Sequence, residues 1–164
     1  MQKKCLPFIV LLFLAFSTIT SFADEQNKNC IETSLIDPFF SIYFLKYSYD
    51  TDSMSSLLAG GYYLYSEKAF SGKNYPGTYQ GISVFIGYRR YIFNRIYIED
   101  QILPMYAIYK DSSIGNKSTG FELWNEIHLG YKLKLFSSKV QLVLNPQAIL
   151  GICVYEKNEP SSFK

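Results

Sequence analysis

The chain has 164 residues, a net charge of +2 and an aromatic content of 18%, with 15 Tyr and 13 Phe. That length suits one domain. So small a charge, carried by scattered Lys and Arg, gives no electrostatic footprint for nucleic acid or another polyanion. After the N-terminal apolar run, no stretch approaches the ~18 consecutive apolar residues of a spanning helix, which excludes a helical membrane protein.

In chain order, Lys3 and Lys4 precede an apolar run over residues 6–16, broken only by Pro7. Polar Ser17, Thr18, Thr20 and Ser21 follow, and Ser21-Phe22-Ala23 offers small residues at both specificity positions of a cleavage site. Residues 1–23 therefore read as a cleavable signal peptide, cut before Asp24; an uncleaved anchor is the alternative. Cys5 lies too early for a lipoprotein-type anchor. Residues 24–36 are polar and without period, which predicts an N-terminal tail.

Asp37-Pro38 punctuates the entry to the first strand, expected over 39–49. A tight turn over 50–53 leads to a second strand over 55–66, and a polar loop covers 67–78. The third strand spans 79–93. Its even positions, Ile82, Val84, Ile86, Tyr88 and Ile92, are apolar, whereas Gly81, Ser83, Gly87 and Arg89 lie between them. After the short turn Asn94-Arg95, a fourth strand over 96–110 places Ile96, Ile98, Ile102, Tyr106 and Ile108 on one face and Glu99 and Gln101 on the other. Asp100 interrupts the apolar face and Pro104 lacks a ladder donor, so a bulge is expected near Asp100.

A polar loop over 111–119 precedes the most regular segment, 120–136. There Phe121, Leu123, Asn125, Ile127, Leu129, Tyr131, Leu133 and Leu135, apolar but for Asn125, alternate with Glu122, Trp124, Glu126, His128, Gly130, Lys132 and Lys134. Alternation of this kind is a strand with one apolar and one charged face, because successive side chains point to opposite sides. A turn over 137–139 leads to the sixth strand, over 140–155, which alternates almost as cleanly. Short and long connections alternate along the chain, as in an up-and-down antiparallel β-barrel.

Signal, strand pattern and the pairs Gly61-Tyr62, Gly87-Tyr88 and Gly130-Tyr131 resemble the small bacterial outer-membrane β-barrels of the OmpA/OmpX type. The resemblance covers residues 38–155, is architectural, and transfers no catalytic residue. It implies an all-β barrel domain over 37–164, located in the outer membrane, with outer-membrane lipid and the barrel-insertion machinery as partners. Aromatic girdles would be formed by Tyr88, Tyr91 and Tyr131 at one rim and Tyr106, Tyr109 and Tyr155 at the other. Six strands are visible where eight are expected, so the barrel reads as incomplete at the C-terminus. The role implied is structural, adhesive or envelope-related, without catalysis; the partner of the outer loops is left open.

Two other functions compete. In a secreted lipocalin-like barrel the apolar faces would point inward and hold a small apolar ligand. In a lipid hydrolase, His128 with Glu126 would act as base and Ser83 as nucleophile. A polar interior network of Arg89, Glu99, Glu122, Glu126, His128, Lys132 and Lys134 accounts for the same side chains without chemistry. One His with no Cys or Asp cluster implies no metal, and nothing implies a cofactor. An exported compartment permits a disulfide between Cys30 and Cys153; two separate thiols are the other reading.

Overall fold

The computed structural model describes residues 15–22, 29–34, 37–67, 77–93, 95–111, 115–134 and 141–160. The strands are β1 (Ala15–Phe22), β2 (Asn29–Ser34), β3 (Ile42–Asp52), β4 (Ser55–Ser66), β5 (Gly77–Phe93), β6 (Ile96–Asp111), β7 (Lys117–Tyr131), β8 (Leu133–Lys134) and β9 (Gln141–Lys157).

Seven of them, β2 to β7 and β9, form one antiparallel meander in which chain neighbours pair. Among the described residues the two ends of this sheet, β2 and β9, do not pair with each other, so the seven strands form an open sheet. The backbone of β1 lies in the gap. It runs antiparallel to β2, with Ile19 opposite Ser34 and Phe22 opposite Ile31. It runs antiparallel to β9 as well, with Ala15 opposite Gln147 and Ser21 opposite Gln141. The expected six-stranded barrel, finished by strands outside the visible set, is corrected to this arrangement: an open seven-stranded sheet with Ala15–Phe22 laid along both of its edges.

The strand count fell short because residues 24–36 are mostly polar and show no apolar alternation. Asn29–Ser34 is nonetheless a strand, since its alternate residues Glu32 and Ser34 face a polar interior and are buried there. Polarity therefore masked a strand whose partner face is itself polar.

Alternation sets the two faces of every long strand. Along β5 the odd positions Gly81, Ser83, Phe85 and Arg89 turn inward and the even positions Ile82, Val84, Ile86 and Tyr88 outward. β6 keeps the period without a break from Ile96 to Asp111, so no bulge occurs at Asp100. Asp100 stays on the outer face, where Asn125 Nδ2 donates to its Oδ1 at 2.7 Å. Bulges fall elsewhere. Between Tyr91 and Phe93 the β5–β6 register shifts, and opposite Leu123 and Trp124 the register of β9 skips Val154. That skip brings Tyr155 to the outer face directly after Val154. The long strand expected over 120–136 is interrupted at Lys132, whose backbone N–H donates to Arg95 O at 2.9 Å. The first expected strand starts later, because Asp37–Phe40 winds into a 3-10 turn that Ser34 Oγ caps by accepting the Asp37 N–H at 3.1 Å.

The sheet is curved. Arg89 of β5 touches Glu32 of β2, and Lys46 of β3 touches Glu99 of β6, each across two intervening strands. Flat strands spaced ~4.8 Å apart would hold such partners ~14 Å apart. Close approach on the inner side needs small residues. A Cβ at Gly60 would sit 2.4 Å from the Phe85 ring, and one at Gly130 2.3 Å from the Tyr97 ring. In β4 it is thus Gly60 that faces a large inner side chain, while a Cβ at Gly61 would make only an ordinary contact with Ser83 O at 3.8 Å.

Candidate functional site

Three polar groupings occupy the inner face. The first is an ion cluster built from four strands and the β7–β8 junction. Arg89 donates through Nη1 and Nη2 to the two oxygens of Glu32 at 2.8 and 2.9 Å, and through Nε to Glu99 Oε2 at 2.7 Å. Lys46 Nζ reaches Glu99 Oε1 at 2.5 Å, and Lys132 Nζ reaches Glu32 Oε1 at 3.1 Å. Gln101 adds a donor to Glu99. Glu32 and Glu99 are fully buried and Arg89 is 1% exposed. Three cations therefore hold two carboxylates, and the paired fork of Arg89 suits both.

Burial by itself raises a carboxyl pKa and lowers that of an ammonium. Here the partners outweigh burial. Arg89 and Lys132 hold Glu32 well below the ordinary carboxylate range. Lys46 and Arg89 pull Glu99 down to about 2. Against the same burial cost, Glu32 raises Lys132, and Glu32 with Glu99 raises Arg89. The guanidinium of Arg89 also lies 4.8 Å over the ring of Tyr97, whose hydroxyl donates to Asn145 Oδ1 at 2.8 Å.

The second grouping is aromatic. The Glu122 carboxylate accepts from Tyr109, from Tyr79 at 3.1 Å and from Trp124 Nε1 at 2.7 Å. Burial, and then the charge of Glu122, pushes both phenols above their usual range. The third holds the single histidine. His128 Nε2 lies 3.1 Å from Glu126 Oε2, and Nδ1 lies 3.3 Å from Gln147 Oε1.

The structure thus brings Arg89, Glu99 and Lys132 into one cluster, sets Glu126 with His128, and gives Glu122 a separate aromatic shell. Lys134 falls on β8, but its side chain lies outside the described residues, as do Phe70, Tyr75 and the rest of the loop over 68–76. Sequence reasoning passed over Glu32, Lys46, Tyr97 and Asn145. Lys46 carried a signal, as a lone charge alternating with apolar residues in β3. Tyr97 carried one too, since it alternates with Ile96 and Ile98 and falls in phase with Glu99 and Gln101.

Ser83 does not join His128. Its hydroxyl donates to Pro104 O at 2.8 Å. Ser83 stands opposite Met105, which stands opposite Glu122, six positions along β7 from His128. At 3.2–3.4 Å per residue that separation is ~20 Å, so the hydrolase arrangement of His128, Glu126 and Ser83 is absent. Among the described residues no group of His, Cys, Asp and Glu is arranged to hold a metal.

The lipocalin-like alternative is corrected by the facing of the strands, since most of the large apolar side chains lie outside and those within, such as Leu58, Phe85, Leu103 and Met105, share the interior with buried Arg89, Glu99, Gln101 and Glu122. Val84 and Ile86 are each 66% exposed and Phe93 72%. The aromatic girdles are corrected too. Tyr88, Tyr106, Tyr131 and Tyr155 are exposed, but Tyr109 is 2% exposed and bonded to Glu122. Tyr91 is half-buried and meets Tyr97 edge-on at 5.9 Å. Cys30 and Cys153 are not joined by a disulfide. Cys30 stands opposite Ser48 on β3 and Cys153 opposite Trp124 on β7.

No protein-family model matches this sequence, and neither a curated protein nor a solved structure is detectably similar to it. The resemblance to small outer-membrane barrels therefore has no relative behind it. The outer-membrane location, and outer-membrane lipid and insertion machinery as partners, were implied by that resemblance and by the barrel it predicts. With no relative, and with β2 and β9 not paired to each other, these implications are withdrawn. Among the described residues no helix is long and apolar enough to cross a membrane, which bears on helices alone.

Proposed function

We propose that this chain is a non-catalytic β-sheet module whose working part is its apolar outer face, which associates with other apolar matter. One observation carries the reading: the usual distribution of side chains is inverted. Arg, Glu, Lys and Asn are buried on the inner face, while Ile, Val, Leu, Phe and Tyr stand exposed on β3, β4, β5, β6, β7 and β9. A contiguous exposed apolar surface of this extent marks an interaction surface. The interior supports a structural role. Every buried side-chain nitrogen and oxygen among the described residues has a hydrogen-bond partner, so no dangling group awaits a substrate.

The test is sedimentation of the full chain with and without mild detergent. The wild type is expected to form large assemblies in plain buffer and to disperse in detergent. A triple variant, Val84→Lys, Ile102→Glu and Leu129→Lys, is expected to need less detergent and to keep its strand spectrum. A wild type that is monodisperse in plain buffer would overturn the reading.

A further inference from the structure

An edge strand presents a row of unpaired N–H and C=O groups. The seven-stranded sheet has two such edges, β2 and β9, and both border one gap. Ala15–Phe22 meets them together, antiparallel on each side. Its register places Ser21 opposite Glu32 and Ser17 opposite Asn145, two buried inner positions. The segment's β-branched Thr18, Ile19 and Thr20 suit a strand.

The same residues read in the sequence as the end of a leader. The two uses exclude each other, because a cut before Asp24 removes β1 and leaves both edges bare. We propose that the gap between β2 and β9 is a strand-acceptor site whose occupant is the Ala15–Phe22 segment of this chain, supplied by the same molecule or by a second copy. Main-chain hydrogen bonds to both edges provide the affinity. Since one segment serves in either molecule with the same register, the site also provides a route to strand exchange between copies.

The experiment uses the full chain with Cys5, Cys30 and Cys153 replaced by Ser. Thr18→Cys is combined with Leu144→Cys, its register partner, or with Leu150→Cys, which lies well away from it. Under mild oxidation the first combination is expected to cross-link and the second not. A cross-link within one chain shows the segment in its own gap, one between two chains shows exchange, and both support the site. Equal yields for the two combinations, or none for the first, would overturn it. A second measurement follows hydrogen exchange of the full chain carrying Thr18→Pro and Thr20→Pro, with β5 and β6 amides as the folding control. Edge amides of β2 and β9 are expected to exchange about tenfold faster than in the wild type and to recover when a synthetic peptide of residues 15–22 is added. Unchanged exchange, or no recovery with the peptide, counts against the proposal.

Discussion

Arg89 is the residue on which the inner face depends most. It is the one side chain bonded to both buried carboxylates, Glu32 and Glu99. Its removal leaves two buried anions with only Lys132 and Lys46 beside them. Breaking a buried pair in this way costs about 3–5 kcal/mol. Arg89→Ala is therefore expected to lower the unfolding free energy by that amount, read as a lower denaturant midpoint at constant slope, and Arg89→Lys to recover only part of it, since an ammonium cannot reproduce the fork. Unaltered stability in Arg89→Ala would show that the cluster contributes nothing. The carboxylates set a pH dependence of definite sign. Glu99 titrates from 4.5 in the open chain to about 2 in the fold, so it binds its proton more weakly when folded. Its stabilisation is complete above pH 4.5 and is lost as the pH falls from there toward 2. Glu32 is shifted the same way. Lys132 behaves oppositely: its raised pKa gives stability present below 10.5 and lost at more alkaline pH. Denaturation series between pH 2 and pH 6 are expected to show a steep acid loss in the wild type and a shallower one in Glu99→Gln.

At the scale of the strand, the packing of small against large residues on the inner face is testable at Gly130. A Cβ there meets the Tyr97 ring, which is fixed by Asn145 and by Arg89. Overpacking of this kind costs about 1–3 kcal/mol. Gly130→Ala is expected to lose that much in thermal or urea unfolding, and Gly61→Ala, whose Cβ would make only an ordinary contact with Ser83 O, to lose far less. The alternating strands were legible because alternation is a local property: β5, β6 and β7 carry their apolar residues at every second position, and the structure keeps that phase. Three features were not legible. The bulge at Val154 leaves the sequence pattern intact and is decided by the partner strand β7. The strand Asn29–Ser34 is hidden because its inner neighbours are charged, so a polar residue there is a core residue. The inner position of Tyr109 follows from the unbroken alternation of β6, which puts it in phase with Glu99 and Gln101; what β6 by itself does not contain is its bond to Glu122 on β7.

For the molecule as a whole, the decisive property is which face turns inward, and the sequence shows two faces without saying where each one points. Apolar-inward and apolar-outward sheets share the same alternation; ion pairs across two strands, such as Lys46 with Glu99, settle the question because only the inner side of a curved sheet brings them together. The outward apolar face then accounts for the association proposed here, and the open gap between β2 and β9 for the strand that lies in it. A nitroxide scan along β5 from Ile82 to Arg90, in the full chain dispersed in mild detergent with its native cysteines replaced by Ser, tests this facing most directly. Labels at even positions are expected to be mobile and open to collision with oxygen, and labels at odd positions to be immobile and shielded. An inverted phase, or no period of two, would contradict the account.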